Sequence, residues 1–128
     1  MSTPIARTQM AEIIYDFEAR KDSKGHLQVY ELPPGDGGGK YEVAGINQRY
    51  DREKCDELVA LIHAGHYETA ATKAREYIAQ NTDFAIRLTT IPMIAMVVRD
   101  CIFNRGLKGA VRILQRAIGV KDDGDFGP

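Results

Sequence analysis

Glu18 closes the first amphipathic stretch of the chain, and two further carboxylates follow in a Gly/Pro-rich segment, Leu32-Pro-Pro-Gly-Asp36-Gly-Gly-Gly-Lys-Tyr-Glu42-Val-Ala-Gly45-Ile46. One acid at a helix end opposite acids on a small hairpin suggests glycoside hydrolysis. That chemistry needs a carboxylic acid kept protonated near neutral pH, usually by apolar surroundings, and commonly an ionised carboxylate across the sugar. Glu18 suits the first role, because Phe17 and Ile14 place it on the apolar side of its helix while Asp16 points away. The plain alternative is a solvated glutamate at a helix end. Asp36 and Glu42 share a loop in which Gly35, Gly37, Gly38 and Gly39 remove side-chain bulk, so a sugar chain could approach the backbone. A flexible turn explains the same glycines, and no Walker or dinucleotide fingerprint is present.

The elements that must hold these groups are mostly helical. Thr3-Pro4 reads as an N-cap and first helical position, and Ile5, Met10, Ile13, Ile14 and Phe17 recur at helical spacing, so a helix is expected over about 4–19. His26 to Tyr30 alternates as a short strand, paired with Tyr41-Glu-Val-Ala across the Pro/Gly loop, and this hairpin is the only β structure expected. From Asp51 the pattern is helical to Ala64-Gly65-His66, where it breaks, and a second helix starts at Tyr67. Asp83 is placed to cap a short helix holding Phe84, Ile86 and Leu88. After Pro92 a largely apolar helix runs through Phe103 and is expected at the centre of the fold. Asn104-Arg-Gly106 reads as a turn before a last amphipathic helix ending at Gly119. One mainly α domain over 1–128 results, with helix and hairpin in 1–50, a helical part in 51–120 and a turn-rich acidic tail in 121–128.

Bulk properties narrow the function. A chain of 128 residues at 44% hydrophobic content supports one core but not two independent domains. With 17 Lys+Arg against 18 Asp+Glu the net charge is −1, which argues against nucleic acid as a partner. Cys55 and Cys101 have no metal-site spacing and read as reduced thiols. The N-terminus lacks a secretory signal, which implies synthesis in the cytoplasm, and the most apolar run, Ile91 to Phe103, is too short to span a bilayer.

The order of these parts resembles the lysozyme-like muramidases, in which a catalytic Glu ends the first helix, an Asp follows in a hairpin, and a Thr or acidic residue comes next. Here seventeen residues separate Glu18 from Asp36 and five separate Asp36 from Glu42. The second interval matches the phage-type spacing and the first is longer. More specifically the chain resembles glycoside hydrolase family 108, with its Glu-Gly-Gly and Asp-Pro-Gly-Gly-x-Thr-x-x-Gly-Ile signatures, here Glu18-Ala-Arg and Asp36-Gly-Gly-Gly-Lys-Tyr-Glu42-Val-Ala-Gly45-Ile46. Asp100-Cys-Ile-Phe-Asn104-Arg-Gly106 and Ala110-Val-Arg-Ile-Leu-Gln115-Arg-Ala-Ile-Gly-Val-x-x-Asp123-Gly-x-Phe-Gly-Pro128 resemble the family's carboxy-terminal peptidoglycan-binding region. Ala19 and Arg20 depart from the two glycines, the Gly run is one residue longer, and Glu42 replaces the usual Thr.

The resemblance implies a lysozyme-like helical fold with one small β-hairpin. It implies a muramidase that cleaves the β-1,4 bond between N-acetylmuramic acid and N-acetylglucosamine of peptidoglycan, with Glu18 as general acid, Asp36 and Glu42 stabilising charge or handling water, and no metal or organic cofactor. Export would then rely on a holin or a dedicated secretion machine, with action in the periplasm or wall. The same fold without catalysis, as a wall-binding or secretion-accessory module, is the second reading, and a chitin-like substrate the third. Tyr41 is a candidate for stacking on a sugar ring, or simply for strand packing. Asn104 is a candidate for hydrogen-bonding substrate, or for capping a turn. Lys108, Arg112 and Arg116 form a basic stripe that could meet an anionic wall polymer, though such stripes are commonly solvated helix faces.

Overall fold

A computed structural model describes residues 6–35 and 38–125. The order of elements is α1 (Arg7–Glu18), β1 (Tyr30–Glu31), β2 (Tyr41–Val43), β3 (Ile46–Asn47), α2 (Arg52–His63), α3 (Tyr67–Asn81), α4 (Ala85–Leu88) and α5 (Pro92–Ile118). The fold is therefore mainly α with a small antiparallel sheet in the order β1-β2-β3. Its residues group into two compact units, Met1–Ala11 with Ile78–Pro128 and Glu12–Tyr77. The division passes inside α1 and α3 instead of falling near residue 50.

Within Glu12–Tyr77, burial follows periodicity. Cys55, Leu58 and Ile62 give α2 a buried stripe at i, i+3 and i+7. Ala70, Ala71 and Ala74 do the same on α3 with side chains small enough for close packing. The α2–α3 turn is a Schellman cap: the His66 N–H donates to the Leu61 carbonyl and the Gly65 N–H to that of Ile62, with Gly65 at φ 81. The sheet has one strand more than the expected hairpin. Ala44 and Gly45, at φ 49 and 78, turn β2 back into β3 within two residues, and a β-turn with positive φ at both central positions suits the twist of a hairpin. Alanine rarely adopts that conformation, so Gly45 alone was visible as a turn signal. The strand expected over His26–Tyr30 is reduced to a single bridge, Lys21 to Leu27, before β1 begins.

In the other unit, Ala85, Val98, Ile102 and Ala110 form a buried cluster against which Phe84, Leu88, Cys101 and Leu114 pack. The helix after Pro92 is not central as expected. Met93 is 68% exposed and Val97 62%, and only the stripe Ala95, Val98, Arg99 and Ile102 is buried. The turn expected at Asn104-Arg-Gly106 is present as a kink within α5: Gly106 takes the non-helical φ 74 and ψ 166, and two helical segments meet there. Asp83 does not cap α4, which has no side-chain cap. Its carboxylate instead accepts from Arg7 at 2.7 and 2.8 Å and from Arg99 at 3.0 Å. The tail folds back on α5, where Gln115 donates to Asp123 and to the Asp125 carbonyl, and the Gly124 N–H donates to Gln115 Oε1. Gln115 and the Asp123–Asp125 stretch of the carboxy-terminal motif thus form a clasp. Thr3-Pro4, the expected start of the first helix, lies outside the described residues.

Candidate active site

Glu18 is the last residue of α1 and is half-buried. It continues the helix's inward stripe, because Ala11, Ile14 and Tyr15 are buried and Glu18 follows at i+7, i+4 and i+3 from them. Phe17, expected beside it on the apolar side, is 82% exposed, so the apolar neighbours along the helix are Ile14 and Tyr15. The Ala19 N–H donates to the Tyr15 carbonyl and extends the last turn by one bond. The chain then reverses at once: Asp22 accepts from the Lys24 and His26 N–H groups, and the Gln28 N–H donates to the Arg20 carbonyl. Those hydrogen bonds hold the Asp22 carboxyl below its ordinary range, the bond from His26 foremost.

Two contacts lead from this reversal to the sheet. The Arg20 guanidinium lies 3.7 Å from the centre of the Tyr30 ring, a close cation–π contact. Tyr30 is the direct cross-strand partner of Glu42, and Glu42 in turn pairs with Asn47. Cross-strand partners share a face, so Tyr30, Glu42 and Asn47 form one row across the three strands. Glu42 sits in the middle strand and is half-buried. Asn47 Oδ1 accepts from the Arg49 N–H at 2.7 Å and its amide donates to the Gly38 carbonyl. A Cβ on Gly38 would meet Arg49, and one on Gly39 would meet Asn47. The glycines accordingly admit the hairpin's own side chains at those two positions, where space for a sugar was expected.

Asp36 lies outside the described residues. Tyr41 is on the opposite face from Glu42, since side chains alternate along a strand. Its hydroxyl donates to Asp56 of α2 at 2.6 Å, which raises the Tyr41 pKa, and Cys55 Sγ lies 4.0 Å from its carbonyl oxygen. Val43 and Ile46, on that same face, are buried. Tyr41 therefore joins sheet to helix. Asn104 belongs to the other unit and donates to the carbonyl and carboxylate of Asp100 one turn earlier, at 3.0 and 3.2 Å. That is the local role expected of an amide just before a helix break. In the basic stripe, Arg116 is paired with Asp122 at 2.6 Å, while a Cβ on Gly124 would meet Lys108 and Arg112. The tail thus lies over the stripe expected to face a polymer.

Arg20 was visible only as a departure from glycine. Nothing in residue spacing announces that it stacks on Tyr30 ten positions later, because the contact depends on the tight reversal between them. His26 stacks on Tyr67, with ring centroids 4.1 Å apart and planes within 2°, and pairs with Asp22 at 3.4 Å. Among the described residues no group of three His, Cys, Asp or Glu side chains could hold a metal ion, and no helix is long and apolar enough to cross a membrane. Comparisons with protein families, curated proteins and solved structures find no match for the chain.

Proposed function

We propose that this protein is a peptidoglycan hydrolase of the lysozyme type, an N-acetylmuramidase with Glu18 as its general acid. The observation that supports this reading best is the position of Glu18: a carboxylate at the last turn of α1, on that helix's buried stripe, half withdrawn from water and followed directly by the ribbon that leads to Glu42. As general acid, Glu18 hands its proton to the leaving oxygen as the glycosidic bond breaks. Glu42, set in the middle strand, stabilises the developing oxocarbenium charge or handles the attacking water, together with Asp36. Peptidoglycan glycan strands are the substrate, and a holin or a secretion machine supplies the route to the wall.

Turbidity loss and new reducing ends on purified peptidoglycan test the proposal. Wild type clears the suspension, and Glu18→Gln lowers the rate by about 100-fold or more, the scale of a lost general acid, while still sedimenting with the wall. Wild type that sediments with peptidoglycan yet releases no reducing ends would overturn the enzyme and leave a wall-binding module. Release from chitin oligosaccharides but not from peptidoglycan would move the activity to another polymer. The anomer formed first separates inversion from retention.

A further inference from the structure

α5 carries a second apolar surface besides the stripe that it buries. Ala95, Val98, Arg99 and Ile102 face the interior, whereas Met93 is 68% exposed, Val97 62%, Ile94 42% and, just before the helix, Ile91 53%. Met93 and Val97 stand one turn apart with Ile94 beside them, so the three make one strip on the outward side of the first two turns. Polar residues close the strip: Thr90 before it, and Asp100 and Asn104 one and two turns after Val97. The core cluster, with Val98 and Ile102, is on the other side of the helix, and the strip takes no part in it. With Ile91 the exposed hydrocarbon amounts to roughly 400 Å², the scale at which a contiguous patch marks an interaction surface.

The surroundings of the strip favour a second copy of the same chain as its occupant. A net charge of −1 gives two copies little mutual repulsion. An anionic membrane surface would need a cationic border, and the nearest charge on the outward side of α5 is the carboxylate of Asp100. That carboxylate has a complement on α5 itself. The first turn of the helix contains no acidic residue and Ile91 supplies no side-chain cap, so the positive end of the helix dipole is left uncompensated there. In an antiparallel pair crossing at Val97, the residue three places after Val97 stands opposite the residue three places before it. Asp100 of each copy then meets the first turn of the other copy at Ile94, and Asn104 meets Thr90. Asn104 occupies only one oxygen of Asp100, at 3.2 Å.

We propose that the outward strip of α5 is a self-association surface on which two copies of the chain pair antiparallel about a two-fold axis through Val97. Two strips with their polar flanks bury about 1,000 Å² in total, the lower bound for a specific interface. Association is accordingly weak, with Kd on the order of 10–100 µM. The strip lies within the unit formed by Met1–Ala11 and Ile78–Pro128, contains none of the carboxylates assigned to hydrolysis, and stands whether or not the muramidase reading holds.

Sedimentation velocity of the full chain from about 5 to about 500 µM, a range that brackets the expected Kd, is the test. The weight-average mass is expected to rise from one chain towards two. Val97→Glu sets like charges face to face at a position already open to water, and is expected to stay at one chain mass throughout with an unchanged circular dichroism spectrum. Phe17→Glu, at a residue of α1 that is 82% exposed, associates as wild type does. In a Cys101→Ser background, Val97→Cys forms an interchain disulfide on mild oxidation, because the axis brings the two residues within bridging distance. One chain mass at every concentration, a dimer untouched by Val97→Glu, or a dimer in which that disulfide does not form overturns the proposal. So does a monomer that partitions onto vesicles of phosphatidylcholine and phosphatidylglycerol through Val97, which would assign the strip to a lipid surface.

Discussion

Two charged side chains occupy positions where helical periodicity calls for hydrocarbon: Glu18 at i+7 from Ala11 on α1, and Arg99 at i+4 from Ala95 on α5. They are stabilised differently. Arg99 is almost wholly enclosed and spends two of its nitrogens on the C-terminal end of α3 and the residues just after it, so its removal takes a donor from Ala79, Thr82 and Asp83 at once, while Arg7 stays on Asp83. Arg99→Met is expected to lower unfolding free energy by roughly 3 kcal/mol, as for a broken buried pair, read from urea denaturation. Tyr41 is the milder case. Tyr41→Phe deletes only the hydroxyl that donates to Asp56, and with both partners partly in water the loss is expected at about 1 kcal/mol or less, with sedimentation on peptidoglycan unchanged. Sedimentation lost in that variant, with the fold intact, would restore Tyr41 to the substrate. The two thiols separate on the same logic. Burial holds the Cys55 pKa up at about 11, whereas Cys101 is only half-buried, so iodoacetamide at neutral pH labels Cys101 first and reaches Cys55 only on unfolding.

Glycines in the left-handed region set the boundaries of the elements. Gly65 ends α2 and Gly106 breaks α5, and nothing lies within 4 Å of a Cβ added at either position. Gly65→Ala and Gly106→Ala therefore report backbone strain alone, and each is expected to destabilise by about 1 kcal/mol, measured by thermal or urea unfolding. A much larger loss would mean that the break in α5 has a packing role. The start of α2, the turn at Gly65 and the end of α5 were legible from apolar spacing and C-cap glycines, since those signals are local. The third strand was hidden because Ala44 gives no warning of a positive φ. The exposure of Met93 and Val97 was hidden too, because composition says how apolar a helix is and not which neighbours cover it. Of the candidate site, the placement of Glu18 at a helix end could be read from the chain. The face on which Tyr41 and Glu42 point could not, because it is set by strand register. Asp83, read as a cap, was claimed instead by two arginines distant in sequence.

At the scale of the molecule, stability should fall at both ends of the pH range. Arg7 first, and then Arg99, hold Asp83 below its ordinary 3.8, and Lys54 and Lys73 hold Glu57 below 4.5. A lowered carboxyl contributes stability that is fully present above its ordinary value and is lost as pH falls through the lowered one. The urea midpoint is thus expected to decline below about pH 4, with a shallower decline in Asp83→Asn; an unchanged profile in that variant would show that the pair contributes nothing. The sign reverses for Cys55, whose raised thiol stabilises fully below 9.0 and ceases to do so as pH rises through about 11. The division into units has a temporal consequence as well. Glu12–Tyr77 is one uninterrupted stretch and can condense while the remainder is still being translated. Arg7 must wait for an aspartate 76 residues downstream, so the opening residues of the chain find their partners only after α3 has left the ribosome.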